Sequence, residues 1–173
     1  MVTVLAKKKY FNNVFIGIGS NLANAKENCL QGIIKLKETK VIDVIRCSSF
    51  YKTEPVGGPE QGWFVNCVVK TGTSFSPKNL LLYLKELEIK LGRIQSTRWG
   101  PRVIDFDILF FDDEIIDTHH LKIPHPLNHQ RRFVLEPMDE IAPDLIHPRL
   151  KKSINELKKS ISCENQKVER YNT

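Results

Sequence analysis

Two aspartates interrupt an otherwise apolar run in residues 98–111, RWGPRVIDFDILFF, directly after a pair of arginines. In an extended chain alternate side chains face opposite ways. Ile104, Phe106, Ile108 and Phe110 are therefore predicted on one face, with Val103, Asp105, Asp107, Leu109 and Phe111 on the other. The two carboxylates then stand roughly 6.6 Å apart along the strand. Bare charges at that distance repel by about 2.5 kcal/mol at an effective dielectric near 20, against about 0.6 kcal/mol in water. A fully solvated face would tolerate the pair unaided. Val103, Leu109 and Phe111 make this face partly apolar, and a divalent cation would cancel the repulsion. Mg²⁺ fits such a pair, because it accepts one or two carboxylates and completes its octahedron with water and phosphate oxygens.

The cationic half of a nucleotide site lies just upstream. Arg93 follows a predicted helix end, and Arg98 and Arg102 flank Trp99-Gly100-Pro101. A guanidinium pairs bidentately with phosphate oxygens and keeps its charge. The Gly/Pro-containing loop that carries these residues is a candidate lid, with Trp99 as its cover. Asn66 breaks the apolar strand WFVNCVV, where a buried amide needs partners or reads the edge of a heterocycle. Phe64 shares its face, and Phe133 follows a double arginine. Such aromatics fill a core or grip a flat ring. His125, between two prolines, is a candidate ligand contact. His125 and His129 are four apart but have no third ligand beside them, so zinc is not expected.

These residues need a scaffold. Residues 14–21, VFIGIGSN, are predicted as a buried strand whose glycines make a tight turn into a helix. That turn lacks the third glycine of a dinucleotide fingerprint, and no P-loop occurs in the chain. The helix opens with Asn24 and Glu27 as a capping pair and carries Leu30, Ile33 and Ile34 on one face. Residues 41–53 are predicted as one long bent strand, residues 54–62 as a loop, and residues 63–71 as another strand. Ser76 and Pro77 start a helix with the stripe Leu80, Leu84, Leu87 and Leu91, ended by Gly92. Asp112 and Asp113 suggest a hairpin turn. Residues 123–143 hold a short helix stopped by Pro137, and Ser153 with Glu156 caps a last helix before a frayed tail. The expectation is an α+β sandwich, a mainly antiparallel sheet with helices packed on it.

At 173 residues the chain fits one domain, with residues 14–150 as its core and residues 151–173 as a C-terminal helix and tail. Its 41% hydrophobic and 27% charged residues are those of a globular protein. The apolar runs are too short for a membrane span, and the N-terminus lacks the order of a secretory signal, so the cytosol is expected. The four cysteines form no C-x-x-C pair and read as small buried hydrophobes. A net charge of +6 favours an anionic partner. Two other readings of these features remain: a basic RNA-binding α+β module, although no RNP1-like segment is present, and a D-x-D metal-dependent phosphohydrolase.

Taken in order, FIGIGSNL, SSFYKTEPVG, WFVNCVV, LGRIQSTRWGPRVIDFDILFF and IPHPLNHQRRFVLEPMDEIAPDLIHP resemble the 6-hydroxymethyl-7,8-dihydropterin pyrophosphokinase family. The likeness runs over about residues 15–148. It implies a ferredoxin-like fold and Mg²⁺-dependent transfer of diphosphate from ATP to the pterin's hydroxymethyl oxygen, releasing AMP, in folate biosynthesis. It implies two Mg²⁺ ions on Asp105 and Asp107, and stabilisation of the transferring triphosphate by Arg93 and Arg102. Glu88, Arg98, Trp99, His125 and Arg131 would serve ATP. Thr53, Val56, Phe64, Asn66 and Phe133 would serve the pterin. Phe64 stands where some relatives carry tyrosine, Pro126 where others carry an aromatic, and Gln95 where some carry a basic residue. The implied partners are ATP and the pterin, with no nucleic acid or membrane, and a monomer is expected.

Overall fold

The computed structural model describes residues 12–55, 60–94, 100–162 and 166–171. Strand β1 (Asn12–Ser20) leads into helix α1 (Ala25–Glu38), then β2 (Ile42–Cys47), β3 (Tyr51–Thr53), β4 (Phe64–Thr73), α2 (Pro77–Lys90) and β5 (Asp105–Phe111). The short pair β6 (Ile116–Asp117) and β7 (Lys122–Ile123) precedes a 3₁₀ turn, α3 (Arg132–Ile141), α4 (Ile154–Ser160) and β8 (Val168–Arg170). The main sheet runs β5-β1-β4-β3-β8, with β2 also paired to β4, and its pairs are antiparallel. This is the expected ferredoxin-like α+β sandwich.

One sheet face packs Val14, Ile16 and Ile18 against Cys29, Ile33 and Leu36 of α1 and Leu80, Leu84 and Leu87 of α2. The opposite face packs Phe15, Val68, Leu109 and Phe110 against α3 and α4. The buried face of α1 is the predicted one only at Ile33. Leu30 and Ile34 are partly exposed, and Cys29, Gly32, Ile33 and Leu36 go inward. Gly32 lets the helix lie close to Ile104 and Phe106, since a Cβ would sit 2.6 Å from Ile104 Cδ1 and 3.0 Å from Phe106 Cζ. Asn24 caps α1 as expected, but the Glu27 carboxylate accepts from Gln31 instead of returning to the cap.

The predicted bent strand of residues 41–53 is split at Ser48. There the Ser48 N–H donates to Val68 O, and the Ser48 hydroxyl accepts from Val68 N–H, both at 2.9 Å. Side chain and backbone thus keep the ladder through the bend. In β5 the alternation also breaks. Phe15 pairs with Phe110 but Ile16 with Ile108, so Leu109 is a bulge residue. Beyond it the faces exchange: Phe110 joins the α3 side and Phe111 the α1 side, the reverse of the expectation. Asp112 takes a positive φ of 45° in the turn that follows, but β5 forms no hairpin with β6, which pairs with β7 instead.

Helix α3 runs through Pro137 to Ile141 and does not stop at the proline. An interior proline costs about 3 kcal/mol. Val134, Leu135, Met138 and Ile141 are all buried on that helix, at about 1.5–3 kcal/mol each, which outweighs it. Ser153 and Glu156 form the expected reciprocal cap of α4. The tail is not frayed throughout, because β8 adds to the β3 edge.

His147 lies beneath this helical layer, 3% exposed. Its Nδ1 accepts from the backbone N–H groups of Arg149 and Leu150, both at 3.2 Å, so the ring proton sits on Nε2 and is directed at Asn128 Oδ1, also 3.2 Å away. Burial, with His129 adding to it, pushes its pKa down to about 4. The folded protein therefore prefers the neutral ring. Its contribution is complete above about pH 6.5, the ordinary value, and is lost as pH falls from there toward 4. Between pH 7.5 and 5.0, urea denaturation should show a loss on the order of 2 kcal/mol that His147→Gln lacks. Identical pH profiles would contradict this assignment.

Candidate functional site

A cavity of about 360 Å³ opens on the α3 side of the sheet, where three strands supply its floor. The floor follows from β1. Gly17 is paired with Asp107 on β5 and with Val68 on β4, and Gly19 with Asp105 and Asn66. These glycines are strand residues and not the turn expected from GIGSN; the turn comes later, with Ala23 at φ 48°. A Cβ on Gly19 would sit 2.5 Å from Asn66 Oδ1, so the missing side chain is what leaves room for that amide.

On the β5 side the cavity is charged. Helix α2 closes with Gly92 at φ +93°. Its N–H donates to Ile89 O, and the Arg93 N–H donates to Glu88 O, a paired C-terminal cap that turns Arg93 back over the sheet. Glu88, 2% exposed, accepts from the Phe106 N–H at 2.8 Å and from Lys85 at 2.7 Å, and also pairs with Arg93. Asp105 pairs with Arg93 on one oxygen and Arg102 on the other, with Lys85 Nζ 3.7 Å away. Asp107 has neither a hydrogen bond nor an ion pair among the described residues.

The electrostatics of the two aspartates diverge accordingly. Burial pushes the Asp105 carboxyl up, but Lys85, Arg102 and Arg93 more than offset it and hold it below the usual range. Burial and the neighbouring Asp105 charge push Asp107 up. His125 is lowered by burial against the pull of Asp107. It is placed by the β5 bulge: Leu109 O accepts from the His125 N–H at 3.1 Å. Arg131 faces the same corner with its guanidinium carbon 5.5 Å from the Phe133 ring centre, and burial lowers its pKa.

The β4 side is neutral. Asn66 Nδ2 donates to Thr53 Oγ1 at 2.7 Å, and both residues are buried. Phe64 and Phe133 flank them around the cavity. Asn21 links the two sides. Its backbone N–H donates to Arg102 O and its Oδ1 accepts from the Arg102 N–H, while Nδ2 donates to Gln61 Oε1 at 2.9 Å.

The cavity brings together Thr53, Phe64, Asn66, Arg93, Arg102, Asp105, Asp107, His125, Arg131 and Phe133. Glu88 stands behind it, bonded to residues that line it. Val56, Arg98, Trp99 and Gln95 lie outside the described residues. Sequence reasoning missed Lys85, although its place three residues before Glu88 on one helix face signalled it. It also missed Gly17 and Gly19, whose spacing of two puts them on one strand face. The donor chemistry fits Mg²⁺. Among the described residues no three His, Cys, Asp or Glu side chains converge, so an ion held by the aspartate pair draws its other ligands from water or phosphate.

Fold and cavity together define an α+β group-transfer domain, with a paired-carboxylate, cation-lined cleft continuous with a neutral, ring-sized recess. Residues 15–143 match 7,8-dihydro-6-hydroxymethylpterin-pyrophosphokinase (HPPK), and the chain belongs to that family of diphosphotransferases of folate biosynthesis. A 2-amino-4-hydroxy-6-hydroxymethyldihydropteridine pyrophosphokinase of Aquifex aeolicus is 41% identical over 145 residues, covering 84% of this chain and 89% of that protein. The folic acid synthesis protein FOL1 of Dictyostelium discoideum is 40% identical over 147 residues, 85% of this chain but 22% of that protein. In the crystal structure of wild-type Plasmodium falciparum HPPK-DHPS with pteroate, the match has a TM-score of 0.71 at 17% identity, over 86% of this chain and 42% of that one.

The two aspartates should respond oppositely to neutralisation in the ligand-free protein. Asp107→Asn removes a charge that burial disfavours and that has no side-chain partner among the described residues, and should stabilise by about 1 kcal/mol. Asp105→Asn strands Arg102, leaves Arg93 with Glu88 alone, and should destabilise by about 2 kcal/mol. Chemical denaturation of both variants reads this directly; shifts of the same sign would contradict the asymmetry.

Proposed function

We propose that this chain transfers the β,γ-diphosphate of ATP to the hydroxymethyl group of 6-hydroxymethyl-7,8-dihydropterin, with Mg²⁺, releasing AMP. The observation that carries the reading is the cavity's division: Asp105 and Asp107 with Lys85, Arg93, Arg102 and Arg131 toward β5, and Asn66, Thr53 and Phe64 toward β4, with Phe133 also lining it. In the transfer the hydroxymethyl oxygen bonds to the β-phosphorus as the bond from that phosphorus to the α,β-bridging oxygen breaks. AMP departs with those electrons and the hydroxyl proton is lost.

Asp105 and Asp107 are the ligands for two Mg²⁺ ions, which when bound supply charge neutralisation at the triphosphate. Arg93 and Arg102 exchange Asp105 for phosphate oxygens and hold the transferring group in line. Glu88 acts from behind, fixing Arg93 and Lys85 on α2. His125 and Arg131 take the nucleotide's remaining phosphate charge, together with Arg98 and Trp99 of the loop outside the described residues. The pterin lies between Phe64 and Phe133, its edge read by Asn66 and by backbone groups near Thr53 and Val56. The Asn66 to Thr53 hydrogen bond fixes which way the amide faces. Transfer through a loose transition state needs alignment and charge neutralisation, so no nucleophilic side chain is required.

AMP should form from ATP only when Mg²⁺ and the hydroxymethyl pterin are both present, and excess chelator should abolish it. Inorganic phosphate release without pterin would instead support a hydrolase. Asp107→Ala should lower turnover at least about 100-fold with the fold retained by circular dichroism. Near-normal turnover would refute the metal assignment. Phe133→Ala should weaken pterin more than ATP, by about tenfold, in calorimetric titration; the reverse order would refute its placement.

A further inference from the structure

Helix α3, which presents Arg131 and Phe133 to the cavity, has no capping side chain of its own. Arg131 occupies its N-cap with no side-chain hydrogen bond. The missing partner comes from 34 residues away: Gln166 Oε1 accepts from the Arg132 N–H at 2.7 Å, and Gln166 Nε2 donates to Gln130 O at 3.0 Å. One side chain therefore clasps the backbone on both sides of Arg131. Gln166 is itself anchored. The segment it opens continues into β8, which pairs Val168 with Thr53 and Arg170 with Tyr51, while Lys167 O accepts from the Glu54 N–H at 3.1 Å and the Tyr171 N–H donates to Phe50 O at 2.8 Å. Thr53 and Glu54 line the same cavity as Phe133. Residues 166–171 thus tie two walls of one recess to each other, and they lie beyond the residues 15–143 that match the family.

We propose that residues 166–171 are a positioning strap for the ring-binding recess, with Gln166 as the positioning residue that sets the direction of Arg131 and Phe133. The inference rests on the functional reading above for its ligand, but its geometry stands separately. An uncapped N–H at the start of a helix leaves that turn free to fray. Fraying at α3 would swing the two side chains that close the recess. The rest of α3 would stay put, because Val134, Leu135 and Met138 are buried. The strap therefore acts on pterin affinity and leaves global stability nearly unchanged.

The test compares Gln166→Ala, Gln166→Glu and, as a control on the same strap, Glu169→Ala, whose side chain is exposed. In Gln166→Ala the KM for the hydroxymethyl pterin should rise about 3- to 10-fold and the KM for ATP, felt through Arg131 alone, by a smaller factor, with the melting temperature within error of wild type. Hydrogen exchange at the Arg132 amide should accelerate. Gln166→Glu keeps the acceptor for Arg132 and loses the donor to Gln130 O, so it should recover most of the loss; Glu169→Ala should match wild type. Faster Arg132 exchange with unchanged pterin KM would overturn the positioning role. So would a general fall in melting temperature with both substrates affected equally. If the wild-type chain takes no pterin at all, the functional reading fails, and the Arg132 exchange in Gln166→Ala judges the strap alone: acceleration upholds it and no change overturns it.

Discussion

Placing ionised carboxylates on a half-buried sheet face is the constraint around which this molecule is arranged. Glu88, Asp105 and Asp107 crowd one end of β5, and Lys85, Arg93, Arg102 and Arg131 surround them. Uncompensated charges in such a setting cost several kcal/mol each. Cations hold Asp105 below the usual carboxylate range, whereas burial prevails at Glu88 and at Asp107, and that inequality gives the site its chemistry. Two guanidinium groups are already desolvated and directed inward, held on a carboxylate that a polyphosphate can replace at little cost, because one charge-assisted pair substitutes for another. Asp107, with no side-chain partner among the described residues, is the group with most to gain from a cation. Before any ligand arrives, the site therefore presents the charges that the proposed reaction would use.

The scaffold meets this constraint through local devices of small size. The paired cap at Gly92 returns Arg93 over Glu88, and Glu88 in turn holds the Phe106 N–H where α2 crosses β5. One bulge residue, Leu109, frees a carbonyl that fixes the His125 backbone, and the same carbonyl receives the Asn128 amide at 3.4 Å. Asn128 then meets His147, so the histidine buried under α3 is joined through two hydrogen bonds to the strand that carries the aspartates.

What could be read from the sequence divides along the same lines. The shared face of Asp105 and Asp107, the stripe of α2, and the caps at Ser76 and Ser153 were legible because each depends on residues within one turn or one strand. Features set by tertiary contact were not. The α1 face was misjudged because Cys29 and Gly32 do not look like core, yet Gly32 is where the helix comes closest to Ile104. The bulge at Leu109 has no local signature, so Phe110 and Phe111 were assigned to each other's faces. Pro137 reads as a stop until the burial of its neighbours is known. A strand of three residues such as β8 acquires its identity only from the β3 edge it joins. Of the candidate site, the charged side chains and aromatics were legible by type; Lys85 and the two glycines were not, since lysine reads as surface and glycine as turn.

Those glycines explain why charged and neutral chemistry can meet in one cavity at all. Strand β1 lies between β4 and β5, so a side chain at position 19 would rise between Asn66 and Asp105, and one at position 17 between Val68 and Asp107, as a partition. Without side chains there, residues about 10 Å apart across two strand spacings face a common space. That span is enough for a flat ring and a phosphoryl group to approach each other with no protein atom between them. Group transfer between two bound molecules needs this continuity more than it needs any single reactive residue. Asn66 and Thr53 satisfy each other on one wall, and on the other Arg93 and Arg102 stay paired with Asp105 until they are exchanged. The bare strand between them lets both walls work on one reaction.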